Sequence, residues 1–86
     1  MTDNKQRIIE HLCYTELVYK RINKKLNAYF TNEQIELFID EVLKTTDEKF
    51  YLKAGKNYYV ENTENAIRIT INSNTFRVIT VDRIMK

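Results

Sequence analysis

Proline and tryptophan are absent from this sequence, and glycine, cysteine and histidine occur once each. Each shortage excludes something. With one glycine and no proline in 86 residues there is no material for a flexible linker, a disordered tail or a glycine-rich phosphate loop. The lone Cys13 closes no internal disulfide. Metal sites need three or four His, Cys or carboxylate ligands close together, and His11 and Cys13, two positions apart on a helix, point to different sides. The same spacing leaves Cys13 without an imidazole base for nucleophilic catalysis, so it reads as a small core residue. No metal and no other cofactor is expected. No N-terminal stretch joins a basic start to an apolar run of signal-peptide length, and no apolar run approaches the roughly 20 residues that span a bilayer. Together these predict a cytoplasmic protein that does not enter a membrane.

What is present is ordinary globular composition, 43% hydrophobic and 30% charged. A chain of this length buries roughly 64% of its unfolded surface, enough for one modest core and one compact domain over residues 1–86. The net charge of +2 conceals a pattern: residues 1–30 carry +3, residues 31–50 carry −4 and residues 51–86 carry +3. Such blocks steer a partner, yet the total falls short of the strongly basic footprint of a typical nucleic-acid binder.

Hydrophobic spacing places the blocks on elements. Asp3 or Asn4 caps a first helix with apolar Ile8, Ile9 and Leu12, and Thr15 offers a fresh N-cap for TELVYKRINKKL, giving two helices or one bent one. Val18, Ile22 and Leu26 form an inner stripe in this segment, leaving Lys20, Arg21, Lys24 and Lys25 outside. Thr31 and Gln34 make a capping-box pair ahead of Ile35, Phe38, Ile39, Val42 and Leu43, an unbroken helical rhythm. The other face of that helix carries Glu33, Glu36, Asp40, Glu41 and Lys44, with Leu37 near their middle. A solvated face with one stray leucine is the plain alternative there.

After TTDEK the period changes to two. Phe50–Lys53 and Asn57–Glu61 read as strands about a turn at the only glycine, Gly55, and Ala66–Asn72 and Thr75–Val81 as two more. The fold class is α+β, with two or three N-terminal helices packed on one face of a four-stranded antiparallel sheet. A two-residue turn at Ser73-Asn74 sets Ile71 opposite Phe76, Ile69 opposite Val78 and Ile67 opposite Thr80. On the outer face Thr70 then meets Arg77 and Arg68 meets Ile79, so both arginines come within reach of one ligand; the alternative is the wet side of a small sheet.

Thr15-Glu16-Leu17 opening a helix that continues to Arg21-Ile22, a Gly-Lys-Asn-Tyr-Tyr-Val strand at Gly55–Val60, and hairpin arms at Ile69–Asn72 and Val78–Thr80 form a pattern covering most of the chain. It resembles a family of small bacterial proteins known as domain of unknown function 3781, and the resemblance implies no activity. Members of that family often carry a histidine before the Thr-Glu-Leu segment and another after the last threonine, where this chain has Cys13 or Tyr14 and Asp82. The outline of helices followed by a twisted sheet is also similar to small ribonuclease toxins, as an analogy of fold alone.

Two binding readings follow. In the first, a small non-enzymatic inhibitor or adaptor docks on a protein or nucleoprotein partner through the acidic helix (Glu33, Glu36, Leu37, Asp40, Glu41) or the hairpin face (Arg68, Thr70, Arg77). Phages and mobile elements use such proteins against host defence nucleases, CRISPR nucleases among them. In the second, RNA or single-stranded DNA is bound, with Lys20, Arg21, Lys24 and Lys25 on phosphates and Tyr58 or Tyr59 stacking on bases beside Arg68 and Arg77. A metal-independent ribonuclease of toxin type, using Arg68, Arg77, Tyr59 and a carboxylate, is the enzymatic variant. An open strand edge also permits a homodimer.

Overall fold

Three helices precede a four-stranded antiparallel sheet in the computed structural model, which describes residues 4–84. The helices are α1 (Asn4–His11), α2 (Glu16–Leu26) and α3 (Asn32–Thr45), followed by a single 3₁₀ turn at Glu48–Phe50. The strands are β1 (Tyr51–Ala54), β2 (Asn57–Asn62), β3 (Ile67–Asn72) and β4 (Val78–Arg83), in spatial order β1-β2-β3-β4. Asn4 is the first residue of α1, and Asp3, the other expected cap, lies outside the described residues. No helix of the described residues is long and apolar enough to cross a membrane.

Backbone pairing separates α1 from α2. The Cys13 N–H donates to the Phe76 carbonyl at 3.1 Å and the Cys13 carbonyl accepts from the Val78 N–H at 3.0 Å. A continuous helix would need both groups for itself. Cys13 therefore extends the sheet beside Arg77 and lies exposed, contrary to its expected place in the core. Thr15 then caps α2, its hydroxyl accepting from the Val18 N–H at 3.3 Å.

Distant cations close the far ends of α2 and α3. Asn27 stops α2 in the left-handed region (φ 54), with Ala28 N–H bonded to the Asn23 carbonyl at 2.9 Å. Arg83 Nη2 caps the Leu26 carbonyl at 2.6 Å. In α3 the Thr31–Gln34 capping box is complete, and Lys5 Nζ donates to the carbonyls of Lys44 and Thr46 at 2.8 Å each. Positive charge is thus held where the helix dipole favours it. Thr46 and Asn62, both buried, satisfy each other by an Nδ2 to Oγ1 bond of 2.8 Å.

The core lies between the helices and one face of the sheet. Ile8, Val18, Ile22, Leu26, Ile35, Ile39, Val42 and Leu43 meet Tyr58, Val60, Ile67, Ile69, Ile71, Val78 and Val81. Phe38, expected among them, is only half-buried at the rim, where it stacks on Phe30 at 6.1 Å. In α1 only Ile8 is fully buried.

The two outer hairpins differ. Between β1 and β2, Gly55 takes φ 61 in a two-residue turn, and Ala54 faces Asn57. Between β3 and β4 the expected two-residue turn is replaced by the longer loop 73–77. Ser73-Asn74 supplies no glycine for the positive φ that a two-residue turn demands. Instead Asn72 Oδ1 accepts from the N–H groups of Asn74 and Thr75 at 2.8 and 2.9 Å, and Phe76 adopts φ 59. Register moves accordingly. Ile71 faces Val78, a bulge follows, and then Thr70 faces Thr80, Ile69 faces Val81, Arg68 faces Asp82 and Ile67 faces Arg83. At the sheet's other side β1 is an edge strand, paired only with β2 among the described residues.

Candidate functional site

The helical rhythm that buries Ile35, Ile39, Val42 and Leu43 turns Glu33, Glu36, Leu37 and Asp40 outward. These four do not stand on an open convex surface. Ile9 from α1 and Leu12 and Tyr14 from the α1–α2 connection form the opposite wall, enclosing a groove of about 440 Å³. Leu37 is 71% exposed at the lip. Glu41 is exposed on the same helix but does not line the groove.

Phenols and carboxylates are coupled at one end. Tyr19 donates its hydroxyl to Glu36 Oε2 at 2.5 Å, and Tyr14 stacks on Tyr19 with ring centroids 5.4 Å apart. Burial, then the charges of Glu36, Tyr19 and Asp40, raise the Tyr14 phenol well above its usual range. Desolvation and the Glu36 carboxylate push Tyr19 up to about 12. Both phenols therefore stay protonated beside a negative potential. Asp40 pairs with Lys44 one turn on at 2.9 Å, a bond that raises the Lys44 ammonium, while Glu33 has no ion pair among the described residues. An apolar lining rimmed by carboxylates suits a segment that presents both a hydrophobic side chain and a cation.

The model of a family described as "Protein of unknown function (DUF3781)" matches residues 6–82. The chain belongs to the DUF3781 family. No curated protein and no solved structure matches it. In this DUF3781 protein the match spans most of α1, all of α2 and α3 and all of the sheet but Arg83, so groove and hairpin are covered together.

The expected arginine pair does not assemble in this DUF3781 domain. Arg68 lies on the outer sheet face and is held by Glu61 of the neighbouring strand, with Nε and Nη2 donating to Oε2 at 3.0 and 2.8 Å. Asp82 faces Arg68 from β4 and binds Lys25 of α2 at 2.9 Å, so Glu61, Arg68, Asp82 and Lys25 form a row of alternating charge. Thr70, expected as an available hydroxyl, is only 6% exposed between Tyr59 and Thr80. Arg77 sits in the loop beside Cys13, away from the position opposite Thr70 that a tight turn would give it. The same shift moves Arg77 away from the place beside Arg68 and Tyr59 that the toxin-type constellation gave it.

Lys20, Arg21, Lys24 and Lys25 do share the exposed face of α2. Tyr58, expected to stack on bases beside Arg68 and Arg77, is a core residue 8% exposed, and Tyr59 lies on the outer sheet face with Asn57 Nδ2 donating to its hydroxyl at 3.3 Å. The aromatic that does adjoin the lysines is Tyr29, 98% exposed, beside Lys20 and Lys24. Sequence reasoning missed it, as it missed Ile9, Leu12 and Tyr14 in the groove. The available signal was Ile9 and Leu12 beside Ile8, an apolar group at the end of a short helix.

Proposed function

We propose that this protein is a non-enzymatic docking protein, an inhibitor or adaptor, that seats a basic amphipathic segment of a protein partner in the groove between α1 and α3. The observation that carries this reading is the lining itself: Glu33, Glu36 and Asp40 surround an exposed Leu37, faced by Ile9 and Leu12. Apolar contact at the centre supplies affinity, and rim carboxylates supply register and association rate. A nuclease whose nucleic-acid channel is basic, such as a defence nuclease of the CRISPR kind, presents segments of this chemistry. Inhibition by occupying such a channel is the most specific form of the proposal.

The test is affinity purification from the native cell after nuclease digestion, with the wild-type chain and the Glu33→Lys/Asp40→Lys double variant as baits. A protein retained by the wild type and lost by the variant, and shifting the amide resonances of α1 and α3 on titration, supports the reading. The same proteins on both baits would place the interface elsewhere. Circular dichroism of the variant guards against misfolding, since both replaced carboxylates lie outside the core.

A further inference from the structure

We propose that α2 and the loop after it form a second binding surface, for single-stranded nucleic acid, with Tyr29 as the stacking platform. This goes beyond the groove and uses none of its residues. Tyr29 shows almost its whole ring to solvent, and the depression beside it is lined by Lys20, Asn23, Lys24 and Asn27. An isolated exposed tyrosine is unremarkable on a mobile loop. This loop is pinned on both sides. Asn23 Nδ2 donates to the Phe30 carbonyl at 3.0 Å, Asn23 Oδ1 accepts from the Phe30 N–H at 2.9 Å, and Ala28 N–H bonds the Asn23 carbonyl at 2.9 Å. Phe30 is further fixed by stacking on Phe38. The ring is thus presented by a backbone held on both sides, which lowers the ordering cost of binding to that of the side chain itself.

Charge selects the ligand. Lys20 and Lys24 stand one helical turn apart, about 6 Å along the axis, and with Arg21 they have no ion pair among the described residues. Lys25, by contrast, is bound to Asp82. Free cations around a free aromatic face match a polymer that alternates phosphates with flat bases. A duplex hides its base faces in the stack, so the single strand is the ligand that uses Tyr29.

The test is fluorescence anisotropy of the full chain with labelled oligo(U) and oligo(dT) of about 12 nucleotides, and with a duplex of equal length, from about 50 to about 200 mM salt. Binding of either single strand above the duplex is expected, with log affinity falling against log salt at a slope near −2, as about three neutralised phosphates require. Tyr29→Ala should weaken binding about tenfold or more at unchanged slope, and Tyr29→Phe should retain it. Lys20→Ala/Lys24→Ala should flatten the slope by about 1.4. Tighter binding of oligo(U) would assign RNA as the ligand. No binding near 50 mM salt, equal binding of the duplex, or a Tyr29→Ala variant indistinguishable from wild type would overturn the proposal. So would a protein partner captured through Tyr29 after nuclease digestion. None of these results bears on the α1–α3 groove.

Discussion

The exposed faces of α3 and α2 carry opposite charge, but the sign matters less than the shape around it. On α3 the carboxylates Glu33, Glu36 and Asp40 share a concave surface with apolar side chains from another element, and Tyr19 holds Glu36 in place. On α2 the cations Lys20, Arg21 and Lys24 line depressions built from that helix and the loop after it alone, and the aromatic side chain lining them is that of the loop residue Tyr29. A concave, partly apolar surface rewards a folded segment that fills it. A cationic helix face with one exposed ring rewards a flexible polyanion that runs along it. A charge pattern along a chain therefore names a partner class only once the neighbouring elements are known.

The largest effect tests whether α3 has the two faces this comparison requires. Ile39 is fully buried beneath the groove, and Ile39→Ala should destabilise the fold by about 3 kcal/mol, through lost burial and a residual cavity. Phe38, at the rim against Phe30, should lose only about half as much on truncation. Urea titration of both variants ranks them; a larger loss at Phe38 would mean that α3 is rotated about its axis.

A second contrast separates stability from binding on the same helix. Leu37→Ala should change stability by less than about 0.5 kcal/mol, because the side chain is mostly in solvent. It should weaken the groove's partner by about 2 kcal/mol or more if Leu37 is the buried centre of that interface. Calorimetry with the recovered partner reads the second number. An unchanged affinity would reduce Leu37 to a stray leucine and leave the α2 surface as the place to look.

These contrasts also mark what the sequence could disclose. The rhythm from Ile35 to Leu43 and the Thr31–Gln34 pair specify α3 locally, so its acidic face was legible before any tertiary contact was known. Half of the groove was not, because Ile9, Leu12 and Tyr14 reach it only through the packing of α1 on α3. The β3–β4 register was hidden for a different reason. It depends on the side chain of Asn72, a left-handed Phe76 and the docking of Cys13 onto the loop, interactions no alternation of apolar residues encodes. Tyr29 stayed invisible because an aromatic residue in a short loop reads equally as a core anchor, and only its exposure in the fold shows that it points away.

A smaller effect sharpens the groove's electrostatics. Tyr19 has its phenol pKa raised from 10.0 to about 12, so the protonated form is favoured in the folded state. The folded chain then holds this proton at pH values where the unfolded chain has released it, and stability falls as pH rises. The contribution is complete below pH 10 and is lost by about pH 12. Exposure of the hydroxyl's bond to Glu36 makes it modest. Tyr19→Phe should flatten the decline of denaturation midpoint across that interval, whereas a slope equal to wild type would show that Tyr19 and Glu36 are not coupled.

The smallest effects belong to the outer sheet face, where the charges satisfy one another instead of awaiting a ligand. Arg68 makes two bonds to Glu61 across β2 and β3, both side chains partly exposed, so a double-mutant cycle on this pair should give a coupling of about 0.5 kcal/mol. Arg77 lies in the 73–77 loop beside Cys13 and shares no partner with Arg68 among the described residues. Arg77→Ala should therefore change stability by less than about 0.5 kcal/mol, and its combination with Arg68→Ala should be additive within about 0.3 kcal/mol. The tight turn at Ser73-Asn74 makes the opposite demand, since there the two arginines are diagonal neighbours on adjacent strands and repel across one face. Measurable coupling between Arg68 and Arg77, with none between Arg68 and Glu61, would restore that register and return the hairpin to the candidate sites. Coupling confined to Arg68 and Glu61 leaves the faces of α3 and α2 as the two candidate surfaces.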